Sequence, residues 1–116
     1  MTQIKQYRQG DVLIVALSDI PPDQIQYPTI PAEAVEVKRG LHGLLLAEGK
    51  ATGHHHAIKS AEADLYMLDG VRFLRARSAV ALTHEEHGTI AIPPGEYRVS
   101  GHHEAQPGDL PRQVED

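Results

Sequence analysis

The sequence predicts an all-β single domain, a small β-barrel or β-sandwich of about seven to nine short strands. Three observations carry that expectation. Apolar runs are short and rich in β-branched residues, as in Val12-Leu13-Ile14-Val15-Ala16-Leu17. Turn formers punctuate them at regular spacing, Asp69-Gly70 and Pro93-Pro94-Gly95 among them. No segment sustains helical periodicity beyond about one turn. Residues 1–103 read as one β domain, and 104–116, polar and carrying Pro107, Gly108 and Pro111, as a flexible C-terminal tail.

Arg8-Gln9-Gly10-Asp11 reads as a turn feeding the first strand; Tyr7, Arg8 and Asp11 are also candidates for lining a pocket. From Asp19 to Pro31 the prolines at 21, 22, 28 and 31 exclude a regular helix and leave an extended surface loop. Val35 and Val37 alternate with Glu36 and Lys38, a short strand with one wet face. Leu44-Leu45-Leu46-Ala47 suits a buried strand, with Glu48-Gly49-Lys50 turning the chain. Two further strands, Leu65 to Leu68 and Val71 to Ala76, flank Asp69-Gly70, a strong hairpin signal. Ser78 to Leu82, Thr89 to Ile92 and Tyr97 to Val99 complete the set.

Composition narrows the function classes. Apolar residues make up 41% of the 116 residues and aromatics only 4%, so the core must be built from Val, Ile, Leu and Ala. Sixteen acidic residues against eleven basic ones give a net charge of -5, which opposes binding of nucleic acid through its phosphates. Cysteine is absent, so disulfides and thiolate ligands are excluded and any metal must be held by nitrogen and oxygen. No apolar stretch has the form of a signal peptide or the length of a membrane span. A cytoplasmic protein with no membrane partner is expected, including one made by a phage inside its host.

Eight histidines in so short a chain are the outstanding feature. They group at 54–56, at 84 with 87, and at 102 with 103, and only His42 stands apart. Side chains alternate along a strand, so His54 and His56 share a face with Ile58, while His55 goes with Ala57 and Lys59. Isoleucine prefers the core, which turns His54 and His56 inward and His55 outward. The same parity carries from Val80 and Leu82 to His84; His87 joins only if Glu85-Glu86 turn or bulge the backbone. His103 shares parity with Tyr97 and Val99, though Gly101 weakens that link.

Neutral imidazoles in pairs on strands suit zinc, iron, manganese or nickel, and the metal ligands expected are His54, His56, His84 and His87, with zinc first. Glu85 and Glu86 are the candidate catalytic residues, as base on a metal-bound water. The plainer alternative is surface or satisfied core histidines beside solvated turn carboxylates.

The runs Arg8-Gln9-Gly10-Asp11-Val12, Gly53-His54-His55-His56-Ala57-Ile58, His84-Glu85-Glu86-His87 and Ile92-Pro93-Pro94-Gly95-Glu96-Tyr97-Arg98-Val99 together resemble a small bacterial and phage family without an assigned activity. The likeness spans residues 6 to 100 or so and implies a unit fold. A fainter similarity links the chain to cupins, metal-binding β-barrels, through the pair in His54-His55-His56 and the turn at Pro93-Pro94-Gly95; Arg98 stands where a cupin has a histidine. Two main readings follow: a metal-dependent hydrolase acting through metal-activated water, or a non-catalytic, metal-stabilised binding or regulatory module. A third, histidines that sense pH, predicts no stoichiometric metal. The partner is a small molecule or a protein, and an exposed edge near Leu44-Leu45-Leu46 makes a homodimer reasonable.

Overall fold

A computed structural model describes residues 5–21, 23, 26–41, 43–49 and 54–100, with Glu48, Gly49 and His54 described by their backbone alone. The chain is all-β, with ten strands among the described residues. β1 (Gln6–Gln9) and β2 (Val12–Ala16) form a hairpin in which Gln9 faces Val12 across the turn at Gly10-Asp11. Arg8 and Gln9 therefore lie in a strand, whereas the sequence reads them as turn. Neither residue favours strands by itself; pairing along β2 overrides that preference.

β1 and β2 belong to a six-stranded antiparallel sheet, in the order β1-β2-β10-β7-β6-β3. Its other members are β3 (Val35–Val37), β6 (Ala63–Leu68), β7 (Val71–Ala76) and β10 (Gly95–Ser100). The β6–β7 turn has φ of 51° at Asp69 and 79° at Gly70, the left-handed pair that an Asp-Gly hairpin requires. Two further antiparallel pairs are β4 (Leu44–Gly49) with β5 (His54–Ile58), and β8 (Val80–Leu82) with β9 (Ile90–Ile92). Reciprocal main-chain hydrogen bonds of 3.0 and 2.9 Å between Ala57 and Thr83 tie one pair to the other. β4 runs through Glu48 to Gly49, which pairs with His54, so these two residues belong to a strand and not to the turn expected at Glu48-Gly49-Lys50.

The main core lies between the six-stranded sheet and these two pairs. Ile14, Leu65 and Leu74 meet Leu44, Leu46, Ile58, Leu82 and Ile92, all fully buried. Alternation sends neighbouring side chains to opposite sides, so Phe73 lies on the sheet's other face with Val15. A 3-10 turn at Leu17–Asp19 and the proline-rich segment after it cover that face. Ile20 and Ile30 pack there, and Tyr27 sets its ring edge-on to Phe73 at 5.6 Å. The prolines exclude a regular helix, and the described residues of this segment, irregular in backbone, lay apolar side chains onto the sheet.

All three sheets are open, and among the described residues there is no closed barrel. Among those residues, too, no helix is long and apolar enough to cross a membrane. The expected tail at 104–116 and the histidines at 42, 102 and 103 lie outside the described residues.

Candidate functional site

The histidine segment is fixed by its neighbour in the core. Ile58 is fully buried on β5, and two residues back His56 is buried on the same side at 2% exposure. His55 points to the opposite side. His54 lies in the same strand, but its side chain is outside the described residues.

The second segment arrives through β8. Leu82 anchors that strand in the core, Thr83 bridges to Ala57, and His84 follows, also buried. Beyond it the backbone bends through Glu85, Glu86 and His87. The bend is held by His84 itself: the main-chain N–H groups of Glu86 and His87 donate to its Nδ1 at 3.0 and 3.1 Å. This turn brings His87 to the side of His84 despite its odd position in the strand count. Three rings result in mutual contact, with centroids 4.3 Å apart for His56 and His84, 4.5 Å for His84 and His87, and 5.9 Å for His56 and His87.

Gln9 and Gly10 complete the group, and sequence reasoning missed both as site residues. The Gln9 amide is buried; its Nε2 donates to Leu82 O and to Gly88 O, each at 2.9 Å. With both protons committed, its Oε1 must accept, and it does so from His56 Nδ1 at 2.9 Å. Gly10, at φ +55°, lies so close that a Cβ there would stand 2.7 Å from His87 Nε2 and 3.3 Å from His56 Cε1. The available signal was the polar pair Arg8-Gln9 before a tight Gly-Asp turn, which carries no indication of partners 47 to 79 residues away.

These hydrogen bonds assign tautomers. His56 holds its proton on Nδ1, which leaves the Nε2 lone pair in the neutral ring. His84 accepts at Nδ1, so its neutral ring holds the proton on Nε2. His87 Nε2 is buried and meets no hydrogen-bond partner among the described residues.

A metal can be tested against this donor set. Two imidazoles bound to one zinc ion at ~2.0–2.1 Å place their centroids roughly 4.5–5.2 Å apart, and the three observed spacings bracket that range. His56 presents the nitrogen a ligand needs, backed by an acceptor on its other nitrogen, the arrangement usual for ligating histidines. His84 does not: coordination through Nε2 would require that proton to leave while main-chain donors still point at Nδ1. Accordingly, no group of three or more His, Asp or Glu side chains is arranged to hold an ion among the described residues.

On the other side of β5, Glu85 takes up His55. The His55 N–H donates to Glu85 Oε1 at 2.7 Å, and His55 Nδ1 lies 3.3 Å from Oε2. The main-chain N–H of His55, followed by that of Glu85 itself, pulls the carboxyl down to about 2. Glu86 is exposed. His55, Lys59, Thr83, His84 and Glu85 border an open depression of about 230 Å³.

The same span of chain that builds this site is matched by a family model described as a domain of unknown function, DUF8820, over residues 8–102. The chain belongs to that family. The DUF8820 span starts at Arg8, immediately before Gln9 and Gly10, and takes in both histidine segments. No match emerged among curated proteins or among solved structures.

Proposed function

We propose that this domain binds one divalent transition metal, zinc first, through His56 Nε2 and His87 Nε2, and that it works as a metal-stabilised binding or regulatory module. His54, next but one along β5, is the candidate third ligand. His84 shapes the turn that delivers His87, and it ligates only if that turn lets go. One observation carries the reading: a buried amide donates both its protons to Leu82 O and Gly88 O and turns its oxygen to His56 Nδ1, the support a ligating imidazole needs. For the architecture, a sandwich fits better than a barrel, because β4, β5, β8 and β9 face the six-stranded sheet across one core while all sheets stay open.

A hydrolase is the second reading, favoured by the depression beside His84. It needs a general base, and Glu85 is poorly suited: its carboxylate is engaged by His55 and its low pKa makes it a weak base. Glu86 would have to serve. Metal analysis of the purified protein and zinc titration decide the matter. About one equivalent is expected, with His56→Ala and His87→Ala weakening affinity by roughly 10–100-fold or more and Gln9→Ala by a similar factor at the low end. His84→Ala is expected to weaken binding less than His56→Ala. Absence of saturable binding for zinc, nickel, manganese and iron alike would sink the proposal.

A further inference from the structure

On the far side of the six-stranded sheet, separate from the histidines, a cavity of about 110 Å³ lies between Phe73 and Val71 on β7 and the covering segment, with Leu17, Ile20 and Tyr27 as its remaining apolar walls. Its polar lining is Gln26 and, on β10, Arg98. Register places Arg98 between Val15 and Phe73, so a half-buried guanidinium sits between apolar neighbours on that face. The guanidinium makes no hydrogen bond and no ion pair among the described residues. The acid two positions away on the same face is already engaged: Glu96 Oε2 accepts from Arg75 at 3.1 and 3.2 Å, and its Oε1 from the Ile30 N–H at 3.3 Å.

We infer that this cavity is a binding site for a small monocarboxylate with a branched apolar tail, its carboxylate on Arg98 and its tail against Phe73 and Val71. Guanidinium recognises carboxylate through paired, charge-assisted hydrogen bonds, and a planar fork with all its donors uncommitted is suited to that contact. Size selects the tail. An apolar cavity of about 150 Å³ holds benzene, so one somewhat smaller suits a branched chain of roughly four or five carbons. The net charge of -5 does not attract anions over long range, which leaves this local cation to supply the recognition.

Isovalerate is the probe, titrated into the full chain and followed by NMR, with acetate and 3-methyl-1-butanol as controls for tail and charge. Saturable shifts centred on Val71 and Phe73 are expected. Arg98→Gln is expected to weaken binding at least about tenfold, as are loss of the tail in acetate and loss of the charge in the alcohol. Val71→Phe, which fills the cavity, is expected to abolish it. If Arg98→Gln does not fold, the alcohol comparison and the Val71→Phe variant decide the question. Unsaturable shifts with the wild-type chain, equal binding of the alcohol, or shifts that survive Val71→Phe would each overturn the assignment.

Discussion

His55 and His56 are neighbours with the same side chain and opposite surroundings. His56 is buried, donates to a neutral amide and touches two other imidazoles; His55 lies on the opposite side of the strand against a carboxylate that is half exposed. The comparison shows that strand parity, more than residue type, sets what an imidazole can do here. On the inner side an unmet polar atom is costly, because desolvation removes water as its partner, and Gln9 meets that need for His56. On the outer side water supplies what the protein does not.

The sharpest way to break that contrast is Gly10→Val. The site's floor has φ +55° and a Cβ there would stand 2.7 Å from His87 Nε2, so backbone strain and overpacking add. A loss of about 3 kcal/mol or more in urea unfolding is expected. A valine tolerated with little loss would mean that the rings are loosely held and that the inner side is not over-determined.

Gln9→Ala comes next. It leaves Leu82 O, Gly88 O and the His56 Nδ1–H without the amide, at an expected cost of about 1–3 kcal/mol. Imidazole ¹⁵N spectra sharpen the same point without unfolding anything: in the wild type at neutral pH, His56 is expected to show the Nδ1–H form and His84 the Nε2–H form. One tautomer for both would contradict the hydrogen-bond assignment. His55→Ala, by contrast, removes an exposed contact and should shift stability by no more than about 0.5 kcal/mol. An effect as large as that of Gln9→Ala would erase the distinction between the two sides.

The smallest effect belongs to Glu85. Its carboxyl is held below its ordinary value near 4.5, at about 2, by main-chain N–H groups, so its ionised form favours the folded state. That contribution is complete above pH 4.5 or so and is lost as pH falls toward 2. The wild type should therefore lose stability relative to Glu85→Gln across that window, and the difference between them should stop changing below it. Parallel curves through the window would show that the His55 contact contributes nothing.

Much of this was legible in the sequence. Asp69-Gly70 named its own hairpin, the parity of Ile58 put His56 inside, and that of Leu82 did the same for His84. These are local signals, readable within a few residues. The proline-rich segment was harder: Pro21, Pro22 and Pro28 exclude a helix but do not say that Ile20, Tyr27 and Ile30 descend onto a sheet face. Gln9 was harder still. A buried glutamine is recognised by what it bonds to, and its partners lie 47, 73 and 79 residues away. The turn at 85–87 was legible only as a condition, because what enforces it is an imidazole accepting main-chain hydrogen bonds, a role with no sequence signature.

The amide of Gln9 also sets an order of events during synthesis. It is carried by β1, but the carbonyls it serves, at 82 and 88, leave the ribosome 73 and 79 residues later. A growing chain can pair β1 with β2 early and still have nothing for that side chain to hold. The cluster can therefore mature only after residue 88 has been made, and a proteolytic cut in the β1–β2 turn that released Gln9 would undo it in the finished protein while sparing every histidine.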